Sequence, residues 1–527
     1  MWYAAKQSAE VNAANPLRES LTAGRFCYVV ELVASRLTRE ARLLEVASKL
    51  AQVPGVVAGS ITSYAGGALG HDPVRVGTAA RARGLTPNIH LTCVGRDRTA
   101  LRRTLEDLHA LGIENVLALT GDYPKTTEPQ PPEALFDLDS VQLVRLIDEA
   151  RQGGMPFWIS VAVSPFKYTE PDCVYQYLKL EKKIATGADC VITQLGYDMK
   201  KFRELKKYLD SRSIRPPVLG SVYVLSGKAA EKMSKGEPPG CWVSPQLLEE
   251  IRAEIKGADA GRAARLERAA RMVAVLRGLG YNGAYLGGDH QAEHVRWIIK
   301  RSEALGSRWE ELEEEFNYAP KNGFYFFERT FAPSKKRGAI PRLLHAMARI
   351  FPVSKEGRLR DFLIRLFRIV DKRPALSGAV ERFEFAIKAP LFGCQACGNC
   401  VLSYMEYVCP QTCPKNLRNG PCGGTKNGQC EVVDKPCIWV AVYERARAAG
   451  RLADFQTFVP PPRRELKRTS SWVNYFLERD SRPGNFVPLA EFSEQANAGK
   501  QKQLSGASAV RTPNAEKSAV KTEADRR

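Results

Sequence analysis

A glutamate stands inside the apolar run Tyr28-Val29-Val30-Glu31-Leu32-Val33. A carboxylate among such neighbours costs free energy unless it is paired or used, so Glu31 is the first candidate for chemistry. Other polar residues end short apolar segments: Ser60-Ile61-Thr62, His90-Leu91-Thr92-Cys93, Thr120-Gly121-Asp122 and Thr193-Gln194. One such residue alone reads as structural. Several brought to one face of a fold make a site.

The second concentration of chemistry is sulfur. Eight of the thirteen cysteines fall between Cys394 and Cys437. They are Cys394, Cys397, Cys400, Cys409, Cys413, Cys422, Cys430 and Cys437, far more than packing needs. In a reducing compartment such a cluster points to metal rather than disulfides. Four thiolates close a tetrahedral zinc shell. The Cys-x2-Cys-x2-Cys run, with Cys413-Pro414 later, equally suits iron–sulfur ligands. Eight ligands fill two four-ligand sites of either kind.

The elements that must position these residues follow from periodicity. FCYVVELV, VVAGSIT, NIHLTCV, NVLALTG, FWISVAV, DCVITQL, PVLGSVYVL and GAYLGG read as strands, with amphipathic helical stretches between them. Eight alternations predict an α/β fold, a (β/α)8 TIM barrel, whose chemistry sits where strands end. The alternation stops near residue 320. Two basic amphipathic segments follow, IPRLLHAMARIFPV and GRLRDFLIRLFRIVDKR. They are expected to bury one face against a neighbouring domain, with a membrane surface as the alternative. The domains expected are an N-terminal extension at 1–20, the barrel at 21–315 and a basic helical connector at 316–384. A small cysteine-rich metal-binding domain at 385–455 and a polar, disordered tail at 456–527 complete the chain.

The net charge of +20 invites a nucleic-acid reading. Much of the excess lies in 331–372 and after 460, and the cysteine module shows no interleaved base-stacking aromatics or recognition helix, so nucleic acid is not expected as a partner. No apolar run of about 18 residues occurs, so no transmembrane segment is expected. The N-terminus has no secretion-signal core, and the expected location is the cytoplasm.

PNIHLTC, GIENVLALTGDYP and KKIATGADCVITQLGYD, with ELV and SIT at the first two strands, resemble the signature segments of methylenetetrahydrofolate reductases. The resemblance covers about 25–310. FDLDSVQLV and VYVLSGKAAEKM resemble a branch of that family from anaerobic and folate-dependent one-carbon metabolism. It implies reduction of 5,10-methylenetetrahydrofolate to 5-methyltetrahydrofolate by a noncovalent flavin, FAD or alternatively FMN, feeding one-carbon and methionine metabolism. Glu31 then corresponds to the general acid that opens the methylene bridge, and Asp122 to the aspartate beside the flavin. Gln194 corresponds to the glutamine on the folate ring. Thr62, His90, Gly121, Ala162 and Lys183 correspond to flavin-binding positions, Lys183 as a phosphate partner.

The chain departs from the family pattern at three places. ELVASR lacks the two prolines common after the glutamate, Thr120 replaces an arginine before Gly121-Asp122, and SPFKYT replaces a Tyr-Pro-x-x-His segment. These changes touch the flavin pocket more than the proton donor. CQACGNCVLS, NLRNGPCGGTKNGQCEV and PCIWVAVYERAR resemble a C-terminal domain fused to, or encoded beside, some of these reductases. The electron donor is NAD(P)H or a redox partner protein, and a homo-oligomer is left open. The alternative to an enzyme is an electron-transfer or docking subunit of a larger one-carbon complex. The module's small size predicts that metal supplies much of its folding energy, while the barrel stands on its own core.

Overall fold

The computed structural model describes residues 15–35, 38–63, 70–124, 133–328, 338–350, 357–479 and 487–488. Eight strands close a parallel barrel in sequence order. They are β1 (Cys27–Leu32), β2 (Val56–Ile61), β3 (Pro87–Thr92), β4 (Asn115–Leu119), β5 (Trp158–Val163), β6 (Cys190–Thr193), β7 (Val218–Tyr223) and β8 (Gly283–Gly287). The barrel region carries helices α1 (Pro16–Thr22), α2 (Glu40–Leu50), α3 (Pro73–Arg81), α4 (Arg98–Ala110), α5 (Ser140–Gln152) and α6 (Glu170–Ala185). It continues with α7 (Met199–Ser211), α8 (Gly227–Ser234), α9 (Pro245–Glu254), α10 (Arg262–Gly278), α11 (Ala292–Ala304) and α12 (Trp309–Glu314). Beyond it lie α13 (Ala339–Ile350), α14 (Arg358–Asp371), α15 (Pro374–Phe392), α16 (Ile438–Ala448) and α17 (Ser471–Phe476). The predicted (β/α)8 barrel is what the chain forms.

Strand register explains which side chains face inward. Val29 pairs with Ala58 and Tyr285, and Leu117 with His90 and Ser160. Cys27, Val29, Ala58, Leu117, Cys190, Ile192, Leu219 and Tyr285 pack as a separate cluster inside the barrel. Side chains alternate with period two, so Glu31, Ser60, His90 and Ala162 share that inward parity. Leu17 and Leu21 of α1 join the same cluster, and Asn15 binds Asn115 Oδ1 at 2.8 Å, at the start of β4. This helix plugs the barrel floor. The expected extension at 1–20 is therefore corrected: residues 15–20 belong to the barrel, because a seven-residue helix with two apolar positions seals its base. Residues 1–14 lie outside the described ones.

The cysteine module is not a satellite. Val401, Tyr404, Met405, Leu417, Trp439, Val442 and Phe455 belong to the same buried core as the outer barrel helices. Tyr175 of α6 meets Trp439, Tyr443 and Phe455 edge-on, at centroid separations of 5.3, 5.7 and 5.7 Å. Asp139 caps α5 through the Val141 and Gln142 amides. Its other oxygen accepts from the Arg418 and Asn419 amides at 3.1 and 3.0 Å. The module thus packs against the barrel in one buried core rather than standing apart from it.

The expected unstructured tail from 456 is also corrected. Val459, Leu466, Val473 and Phe476 are buried, and Val459 takes part in the shared core. Gln142 Nε2 donates to the Val459 carbonyl at 2.9 Å. This segment lays apolar residues on the barrel and on α14, where Phe367 stacks on Phe476 at 5.0 Å. The rest of that tail, apart from 487–488, lies outside the described residues. No helix among the described residues is long and apolar enough to cross a membrane.

Candidate active site at the barrel mouth

Glu31 sits near the C-terminal end of β1, beside Ser60 of β2. Burial pushes its carboxyl up to about 7, and a hydrogen bond from the Tyr285 hydroxyl, at 3.4 Å, works against that rise. The same hydroxyl lies 3.3 Å from His90 Nε2, which is 2.9 Å from Ser60 Oγ. Asn88 Nδ2 donates to Ser60 Oγ at 3.2 Å. Burial lowers the His90 imidazole to about 4, so it is neutral near pH 7. Four adjacent strands, β8, β1, β2 and β3, thus link a protonatable carboxyl to a neutral polar network. Gly287 ends β8 against this group, since a Cβ there would stand 3.0 Å from Glu31 Oε2.

Of the other expected residues, Thr62, Gly121 and Gln194 follow strand ends on the same rim. Thr62 accepts the Ala34 amide at 3.0 Å and ties down the chain after β1. Gly121 follows β4 with φ +91°, and a Cβ there would lie 2.8 Å from Val94, so the turn that presents Asp122 requires glycine. Lys183 reaches from α6 to the Ala162 carbonyl at 2.6 Å. Burial, then neighbouring Lys179, pulls its ammonium down to about 7. Gln194 follows β6, with its side-chain oxygen accepting the Leu195 amide at 2.9 Å. Glu31 and His90 are brought together through Tyr285, while Lys183 stands apart at the barrel wall.

The module forms part of this rim. Lys167 donates to the Gly423 carbonyl at 2.6 Å and also to that of Thr425. Lys179 donates to Pro421 O at 2.9 Å, and Gln176 to Cys422 O at 2.9 Å. Gly240 has φ +84°, and a Cβ there would meet Gly423 O at 2.9 Å and Gln194 Nε2 at 3.5 Å. The Gly-Pro-Cys-Gly-Gly loop therefore lies against the mouth beside Gln194. Lys415 Nζ reaches the Gly121 carbonyl at 2.8 Å and pairs with Glu431. Sequence reasoning missed Tyr285, Lys167 and Lys415. Only the inward parity of Tyr285 could have flagged one of them.

All thirteen cysteines are free. Cys394, Cys397, Cys400 and Cys409 line one cavity with Lys388 and Arg418. Lys388 Nζ is 3.5 Å from Cys400 Sγ, and Arg418 Nη2 is 3.7 Å from Cys397 Sγ. Cys413, Cys422, Cys430 and Cys437 form the second electrostatic neighbourhood. The eight thus sort into two consecutive quartets. Among the described residues no three His, Cys, Asp or Glu side chains stand close enough together to hold a metal ion.

The family profile described as methylenetetrahydrofolate reductase matches residues 16–284, about half of the chain. This chain belongs to the methylenetetrahydrofolate reductase family. A second profile, described as methylene-tetrahydrofolate reductase C terminal, matches residues 374–465. Methylenetetrahydrofolate reductase 2 of Schizosaccharomyces pombe is 26% identical over 245 residues, 43% of this chain and 37% of that protein. The 5,10-methylenetetrahydrofolate reductase of Salmonella typhimurium is 29% identical over 153 residues, 29% of this chain and 48% of that protein. The chain thus spans less than half the length of these curated relatives. A Clostridium thermocellum structure titled as binding two copies of 5-methyl-5,6,7,8-tetrahydrofolic acid aligns with 56% of this chain and 99% of its own. Its identity is 10% and its TM-score 0.39, too slight a likeness to bear on function.

Proposed function

We propose that this chain reduces 5,10-methylenetetrahydrofolate to 5-methyltetrahydrofolate, with Glu31 as the general acid. The observation that carries this reading is the Glu31 carboxyl, raised to about 7 at the barrel mouth and held by Tyr285. The methylene bridge opens to a cation only when the departing nitrogen gains a proton, and an acid with a pKa near the working pH is suited to give it. Neutral His90 fixes the Tyr285 hydroxyl without adding charge beside the nascent cation. Asp122 supplies a negative charge on the same rim, which favours a cationic substrate form. Gln194, beside the module loop, orients the folate ring.

The residues fit a flavin, FAD by preference and FMN as the alternative. Lys183 is a buried amine that donates to a carbonyl, and burial weakens its hold on a charge that a phosphate beside it would favour. Ser164 Oγ, next to the module loop, is buried without a hydrogen-bond partner. A bound flavin supplies the hydride that adds to the methylene carbon. Thr62, His90, Gly121 and Ala162 would line its site.

The two cysteine quartets are proposed as thiolate metal centres, iron–sulfur or zinc, whose sulfurs would have to draw closer together to ligate the metal than they stand here. Lys388 and Arg418, buried against the first quartet, offset the charge that four thiolates bring. The contact of the module loop with the mouth favours a second reading beside the first. In it the module passes electrons from a redox partner protein, in place of NAD(P)H, to the barrel. Anaerobic purification followed by an absorption spectrum and single turnover tests both. Flavin that is reoxidised by methylenetetrahydrofolate, with a methyl product formed one for one, supports the enzyme. A flavin-free protein that forms no product counts against it. Flavin reduction by NADH alone counts against the second reading.

A further inference from the structure

We propose that α13 and α14 seat the protein on an anionic lipid surface. α13 places one side on the module and α14 on α15 and α17, and each leaves a separate apolar stripe to solvent. On α13 Pro341 is buried, and the His345 ring meets Tyr407 at 5.2 Å, while Ile340, Leu343 and Met347 stay exposed. On α14 Val370 is buried and Phe367 stacks on Phe476, while Leu359, Phe362, Leu366 and Ile369 stay exposed, Phe362 at 61%. The spacings i, i+3, i+7 and i+10 put those four on one face of the helix. Exposed apolar stripes of this kind mark interaction surfaces.

The surrounding charges favour a lipid surface as the occupant. Between them, 339–350 and 358–373 hold eight Lys and Arg against two Asp; Arg360 is buried against Glu478, and Asp371 is paired with Arg479. Arg358, Arg365 and Lys372 are exposed and border the α14 stripe at helical spacing. Long cationic side chains can reach headgroup level while the stripe enters the acyl boundary. The stripes contain only Leu, Ile, Met and Phe, without the Tyr and Trp that anchor protein–protein interfaces.

Sedimentation of the full-length chain with vesicles tests this. Binding is expected to vesicles of phosphatidylcholine with phosphatidylglycerol, to weaken as salt rises, and to be missing with phosphatidylcholine alone. The double change Phe362→Glu with Leu366→Glu is expected to lower the partition coefficient at least about tenfold. Leu343→Glu on the other helix is expected to act in the same direction. Melting temperature and single-turnover folate reduction should stay as in the parent. A parent chain left in the supernatant with anionic vesicles, or binding neutral vesicles equally, overturns the proposal. So does a dimer in light scattering that these same substitutions dissolve, since a second copy would then be the occupant.

Discussion

Lys415 of the cysteine module donates to the carbonyl of Gly121, one residue before Asp122, at 2.8 Å. Burial opposes the charge on this lysine, yet Glu431 carries its pKa upward, so the ammonium is held. A buried ion pair of the module thus sets the turn that presents Asp122.

Lys415→Met should leave Glu431 buried without its counter-charge. The expected loss is on the order of 3–5 kcal/mol in urea unfolding, together with weaker flavin binding. Unchanged flavin affinity would detach the module from the active site.

Removing everything after residue 328 should destabilise the barrel as well as delete the module. Lys167 and Lys179 would lose the carbonyls of Gly423 and Pro421, and Tyr175 its aromatic partners. Each buried polar group left unpaired costs about 1–3 kcal/mol. A truncated barrel that melts at the parent temperature would contradict the shared core.

Tyr285→Phe removes the hydrogen bond that holds the Glu31 pKa down. A general acid works while protonated, so folate reduction should fall as pH rises through about 7 in the parent. In the variant that fall should move to higher pH. A downward move, or none, would remove Tyr285 from the acid's environment.

Asp122→Asn should keep the barrel folded while weakening folate binding and altering flavin reactivity. Kinetics that match the parent, with a change only in melting temperature, would return Asp122 to a structural role.

The barrel was legible because eight apolar segments alternate with amphipathic ones, a local pattern. Glu31 and His90 were legible because a charged or polar side chain on the inward parity of a buried strand is costly. Tyr285 was not, since its meeting with Glu31 depends on β8 closing on β1, a pairing between the first and last strands of the barrel. Lys167, Lys179 and Lys415 looked like ordinary surface charges. Their partners are carbonyls of distant loops, which leave no trace in composition. The helix α1 passed for an extension because two leucines in seven residues give too weak a period. The two basic amphipathic segments are helical over 339–350 and 358–371, as their periodicity predicts. How much of their apolar surface stays exposed depends on what the rest of the chain covers, which periodicity alone does not give.

The most direct test is the oxidative half-reaction of Glu31→Gln, followed by rapid mixing. Reduced protein is mixed anaerobically with methylenetetrahydrofolate, and flavin reoxidation and methyl product are both measured. The account predicts that the variant binds flavin with an unchanged spectrum and is reduced normally. It then transfers hydride to folate roughly 10²–10⁴ times more slowly than the parent. Reoxidation at the parent rate, with product formed one for one, would mean that Glu31 is not the acid.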